Sequence, residues 1–233
     1  MNKGFQYEKS LFNLLRKNNF ISKSFHEHDI AGSDNKSPDL IININGQDLN
    51  TEVKLNYKAQ GGGTSVRYQD NIFSLVKEVS GVNEKDIINL LNSKKNEIDN
   101  MLEFHKKSSV PFVTTKDLWV QSVKKGLLSK INCYIDCESS FIENHYFNKQ
   151  IYYIHIGGKG LYYMNEDIGN LNVPRFKGKT RLEIRLTRNG SKLNTKGERV
   201  CSSTLRIQSR ILNIEKSPYS LENIDSLKYI SNQ

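Results

Sequence analysis

Apolar residues recur at spacings of three and four between Gly4 and Asn18, where Phe5, Leu11, Phe12 and Leu15 form a stripe that predicts an amphipathic helix. After Pro38 the rhythm changes to alternation. Leu40, Ile42 and Ile44 share one side of a predicted strand and leave Asp39, Ile41 and Asn43 on the other. A short turn around Asn45-Gly46 folds this strand against a second one, in which Glu52 and Lys54 leave one face while Val53, Leu55 and Tyr57 fill the opposite face. The stretch KAQGGGTSVRYQD, with Gly61 to Gly63 in a row beside Lys58 and Arg67, reads as a mobile basic loop. Such a loop either closes over a substrate backbone or serves as a plain connector. Asp70 to Val79 reads as a short helix, and a longer one runs from Asn83 or Glu84 to about His105 with Ile87, Leu91, Ile98, Met101 and Leu102 inward. Thr114 or Thr115 caps a further helix that turns Leu118, Trp119, Val123 and Leu127 inward. Segment 138–148 is ambiguous.

Strand patterns dominate the rest. QIYYIHI and GLYYMN form two strands around Gly157-Gly158, and their tyrosines (152, 153, 162 and 163) fit sheet packing better than base stacking. RLEIRLTR alternates cleanly, with Leu182, Ile184 and Leu186 against Arg181, Glu183 and Arg185. STLRIQSRI repeats the arrangement, with Leu205, Ile207 and Ile211 against Arg206, Gln208 and Arg210. Paired, these strands make a sheet with one greasy face and one arginine-rich face. Arginine clamps phosphates and reads guanine edges, and glutamine contacts adenine. The plainer alternative is an outward sheet face of mixed polarity.

Composition narrows the classes. The 233 residues suffice for one sizeable core, and the 25% charged and 36% apolar fractions belong to an ordinary globular protein. No apolar run approaches the roughly 18 residues of a membrane span, and no secretory leader is visible, so a cytoplasmic protein is expected. Cys133, Cys137 and Cys201 are an odd number without a CxxC pair, which fits reduced thiols better than zinc. The net charge of +9 is concentrated: between Asn170 and Lys216 twelve Lys/Arg face three Glu. By itself that excess fits a polyanionic partner and a merely solvated basic surface about equally; the candidate hydrolase chemistry of the first hairpin tips it toward nucleic acid.

The candidate chemistry lies in the first hairpin. Asp39 and Glu52 bring two carboxylates to one spot, where a divalent metal would neutralise charges that otherwise repel. Lys54 beside them is placed to orient or deprotonate a water, or to shield a phosphate, during phosphodiester hydrolysis. Glu8 lies inside the apolar stripe of the first helix, which is costly for a carboxylate without a partner. Its position near the helix start gives a purely structural alternative.

The order GFQYEKSLFNLLRKNNF, AGSDNKSPDL, TEVKL resembles the PD-(D/E)xK nuclease superfamily, and within it the opening of archaeal Holliday-junction resolvases. The likeness covers about the first 60 residues. It implies an α/β (α+β) fold with a restriction-endonuclease-like core, a mixed sheet flanked by helices, plus a β-rich basic C-terminal lobe. It implies a nuclease core over 1–130 and a DNA-recognition region over 131–233, possibly continuous with the core. It further implies that Asp39 and Glu52 hold Mg²⁺ (or Mn²⁺), with the Val53 carbonyl as third ligand, Lys54 assisting the attacking water and Glu8 completing the site. The expected activity is site-specific cleavage of double-stranded DNA by a homodimer, its interface on the helices between 84 and 130. DNA contacts are expected from Lys58, Arg67, Arg181, Arg185, Arg206, Gln208 and Arg210. A structure-selective junction nuclease and a non-catalytic nucleic-acid-binding module are the alternatives. His26 and His28 are read as loop or surface residues.

Overall fold

A computed structural model of the chain describes residues 3–30, 37–58, 60–69, 72–75, 84–96, 113–115, 117, 120–121, 124, 132–193, 195–196 and 199–232. The predicted first helix forms as α1 (Lys3–Lys17), and its stripe buries Leu11, Phe12 and Leu15. Strands β1 (Leu40–Ile44) and β2 (Gln47–Lys54) pair in antiparallel register, Leu40 opposite Thr51 and Ile44 opposite Gln47. Asn45 and Gly46 both take positive φ, 54° and 81°, the pair of conformations that a two-residue turn needs to match strand twist.

Two strands from far along the chain complete this sheet. β7 (Tyr153–Ile156) lies parallel to β2, and β8 (Gly160–Tyr163) returns antiparallel to β7, giving the mixed order β1-β2-β7-β8. One face packs Leu40, Ile42, Ile44, Leu49, Val53, Tyr153 and Leu161 against α1 and against Leu227 and Ile230 of α4 (Ile224–Ser231). The other face packs Ile154, Ile156, Tyr162 and Met164 against Ile142 and Tyr146 of α3 (Ser139–Phe147) and against Phe176, Ile211 and Ile214. Burial on both faces explains why β7 is apolar at nearly every position instead of alternating.

The second sheet is antiparallel. From one edge it runs through β4 (Ile72–Leu75), β3 (Gln60–Gln69), β10 (Arg199–Ile214), β9 (Gly178–Leu193) and β6 (Asn132–Cys137), with β5 (Val113–Thr115) also on β10. Its centre is the hairpin of β9 (Gly178–Leu193) and β10 (Arg199–Ile214), in which Arg181 faces Arg210, Glu183 faces Gln208 and Arg185 faces Arg206. The predicted arginine-bearing strands therefore pair, with those six residues on one face. β6 (Asn132–Cys137) adds to β9. Both sheets draw strands from either side of residue 130.

Four expectations are corrected. The glycine-rich stretch is not a loop but β3 (Gln60–Gln69), with Gly63 opposite Gln208 and Thr64 opposite Ile207. The open edge of β10 supplies backbone partners, and strand pairing there outweighs the weak intrinsic preference of glycine. The segment expected to be helical after Asp70 opens instead with β4 (Ile72–Leu75), paired to β3. Thr114 and Thr115 lie in β5, while residues 117, 120, 121 and 124 are helical and the four expected core residues fall outside the described ones. Tyr57 follows the end of β2 and packs with the α3-side cluster, away from Val53. The ambiguous segment is α3. The long helix starts as expected, as α2 (Glu84–Ser93) with Ile87 and Leu91 buried; Ile98, Met101 and Leu102 lie outside the described residues. Among the described residues no helix is long and apolar enough to cross a membrane.

Candidate active site

Strand β1 stops pairing at Leu40, so β2 runs past it with an unpaired stretch of backbone. Asp39 closes that gap: its Oδ2 accepts a hydrogen bond from the Val53 amide at 2.9 Å. The Pro38-Asp39 corner and the Glu52–Lys54 segment are thereby tied together. Glu52 and Lys54 share a face of β2, as alternation requires, and the Lys54 ammonium forms an ion pair with Glu52 Oε1. The Tyr146 hydroxyl donates to the same oxygen at 3.1 Å from α3. Glu8, in the second turn of α1, is half-buried within the fields of Lys54 and Glu52. All four expected catalytic side chains act electrostatically on one another.

The charge balance shows in their protonation. Burial, then the negative charge of Glu52, push the Asp39 carboxyl up to about 7, with Lys54 and the Val53 amide only partly offsetting them. Burial likewise raises the Glu8 carboxyl. For Lys54 burial works downward, but the charges of Glu52, Tyr146 and Asp39 prevail and hold the ammonium well above its ordinary value. Lys54 is thus a cation as it stands, suited to donating hydrogen bonds to a water or a phosphate oxygen.

These residues fit a small divalent cation. The Asn50 and Lys54 carbonyls accept from the β7 side, so alternation turns the Val53 carbonyl toward the β1 side, where Asp39 lies. Among the described residues no group of three or more His, Cys, Asp or Glu side chains is placed to hold a metal ion. Two carboxylates and a carbonyl are nonetheless the donor set that suits Mg²⁺, which keeps several of its waters. The surplus of buried negative charge on Asp39 and Glu52 is what such an ion would relieve.

The residues expected to contact DNA divide into several groups. Arg206 is exposed, as is Lys58, whose carbonyl accepts from Arg210 Nη1 at 3.0 Å. Arg67 stands opposite Ser74 in the β3–β4 pair, and Arg185 stands between Asn132 and Arg206 in the sheet. Arg210 and Arg181 both engage the buried Glu183: Arg210 Nε lies 2.6 Å from Oε1, its Nη2 2.9 Å from Oε2, and Arg181 Nη2 3.1 Å from Oε1. Arg181 also stacks over the Tyr134 ring, 4.3 Å from its centroid. Gln208 is buried, and its Oε1 has no hydrogen-bond partner among the described residues. Tyr153 and Tyr162 are buried, in keeping with packing. Cys137 carries a free thiol 3.3 Å from Thr180 Oγ1.

Sequence reasoning missed Tyr146, whose neighbour on α3 is His145. Burial, then the charge of Lys149, hold the His145 imidazole down to about 4, so it is neutral at ordinary pH. The signal available was slight: Ile142 and Tyr146 stand four apart, and a buried tyrosine hydroxyl requires a partner. The chain matches no family model, no curated protein and no solved structure.

Proposed function

We propose that the chain is a metal-dependent endonuclease that hydrolyses phosphodiester bonds of double-stranded DNA, built on a restriction-endonuclease-like core of the PD-(D/E)xK type. The observation that carries this reading is the convergence of Asp39, Glu52, Lys54 and Glu8 at one end of a mixed sheet, where burial and then the charge of Glu52 drive the Asp39 carboxyl up to about 7. Asp39 and Glu52 would hold Mg²⁺ or Mn²⁺, aided by the Val53 carbonyl. The ion would supply Lewis acidity and lower the pKa of a bound water. Asp39 keeps the corner closed by holding the Val53 amide. Lys54, paired with Glu52, would offer ammonium protons to a water or a phosphate oxygen, and Glu8 would help order the water shell. The product ends would be a 5′-phosphate and a 3′-hydroxyl. Exposed Arg206 and Lys58 supply phosphate contacts, with the basic segment 170–216 drawing the duplex in. A homodimer would place one site on each strand.

Site-specific cutting, of the restriction or homing type, is the first form of this proposal. One observation favours a second form, a nuclease selective for branched DNA: Arg181, Arg210 and Gln208 are engaged or buried, which takes three side chains from base reading. The test is incubation of the purified protein with plasmid DNA and with a four-way junction in Mg²⁺, followed by sequencing of the ends. Discrete plasmid fragments indicate site specificity, whereas preferential junction cutting indicates the second form. Absence of cutting of either substrate leaves the binding-module alternative in place of both.

A further inference from the structure

We propose that Tyr146 is a positioning residue that confines Glu52 to coordination through one oxygen and so selects which divalent cation the site takes. The inference rests on the reading of Asp39 and Glu52 as metal ligands. Glu52 is buried, and two groups meet on its Oε1: the Tyr146 hydroxyl at 3.1 Å and the Lys54 ammonium. Neither contact falls on Oε2, the oxygen that would remain for a cation.

The phenol cannot easily leave this bond. Tyr146 is 3% exposed and packs with Ile142, one turn earlier on α3, in the core beneath the sheet. The ammonium groups of Lys54 and Lys149 lie 5.9 and 5.7 Å from its ring centroid, on a face that attracts cations. A hydroxyl held in this way acts on the ligand carboxylate, not on the metal, and such outer contacts orient the ligands they touch. Coordination through one carboxylate oxygen suits a small octahedral ion that retains water, Mg²⁺ or Mn²⁺. Ca²⁺ takes six to eight oxygens and often a bidentate carboxylate. By engaging Oε1, Tyr146 withholds the second oxygen that Ca²⁺ would use.

Isothermal calorimetry with Mn²⁺ alone and Ca²⁺ alone, without DNA, tests this on wild type, Y146F, E52Q and the E52Q/Y146F double variant. Tyr146→Phe should weaken Mn²⁺ binding about tenfold while Ca²⁺ binding holds or tightens, the scale typical of losing an outer hydrogen bond to a ligand. In the Glu52→Gln background the same change should have no effect on either metal. Equal weakening of both metals, unchanged affinities, or an effect that persists without Glu52 would overturn the positioning role and leave the nuclease reading intact. Failure of wild type to bind Mn²⁺ would remove both. Melting curves of metal-free Y146F identify a folding defect, in which case Glu52→Asp provides the second approach. Its shorter arm withdraws from the Tyr146 hydroxyl, so it must narrow the Mn²⁺ to Ca²⁺ affinity ratio; an unchanged ratio overturns the proposal.

Discussion

At the end of the four-stranded sheet three carboxyl groups, Glu8, Asp39 and Glu52, act on one ammonium, Lys54; on the six-stranded sheet one carboxylate, Glu183, is held by two guanidinium groups, Arg181 and Arg210. Both clusters are buried enough that an unpaired charge is expensive. In the first, burial and then the negative charge of Glu52 raise the Asp39 carboxyl to about 7. In the second, two guanidinium groups hold Glu183 at 2.6, 2.9 and 3.1 Å. Arg210 reaches on to the Lys58 carbonyl and so fastens the hairpin to the chain just beyond β2. Two ionic clusters in one protein therefore differ in kind. Among the described residues one gathers more carboxyl than ammonium groups, and the other is a clasp of two guanidinium groups on one carboxylate.

Substitutions separate the two roles. The largest effect is expected from Asp39→Ala or Lys54→Ala, which should lower plasmid cleavage in Mg²⁺ by about 10³-fold or more, the scale of removing a preorganised charged group. Binding of DNA in Ca²⁺, followed by gel shift, should persist in both variants; full cleavage by either would end the nuclease reading. Next comes Glu183→Ala, which strands two partly buried guanidinium groups and should cost about 3 kcal/mol in urea unfolding. A loss no larger than that of an ordinary surface change would show that the clasp holds little.

Asp39→Asn should act in the opposite direction in metal-free protein. An unfolded Asp39 titrates near 4 and the folded one near 7, so the folded state carries the extra proton between these values. Stability of the metal-free protein must then fall as pH rises from about 4 to 7 and stay reduced above it. Asparagine can still accept from the Val53 amide but carries no charge. It should flatten that slope and raise the melting temperature at pH 8 by about 5 °C, corresponding to about 2 kcal/mol. A steep slope retained in the variant would place its origin elsewhere. The smallest effect belongs to exposed Arg206→Ala, which should weaken DNA binding uniformly across sequences and reduce the salt slope by about 1. Loss at one sequence alone would mean that Arg206 reads a base.

The features legible beforehand were those set within a few residues of chain. The stripe of α1, the Asn45-Gly46 turn, the shared face of Glu52 and Lys54, and the alternation of the β9–β10 strands all follow from side-chain periods of 3.6 and 2. So did the meeting of Asp39 with the Glu52–Lys54 strand, because a tight hairpin leaves little freedom in register. Features that depend on distant partners were hidden. The glycine run is a strand because β10, some 140 residues later, offers it an edge. Gly61 to Gly63 carry no trace of that in their own pattern.

The local code of this chain thus specifies which charged groups stand together on β2 and beside it. Folding specifies what surrounds them: the parallel β7 beside β2, the Tyr146 hydroxyl brought to Glu52 across 94 positions, and the Glu183 that takes up Arg181 and Arg210. The reason is physical. Backbone periodicity acts over one or two turns or strand pairs, whereas burial and charge compensation are settled by whichever surfaces come into contact.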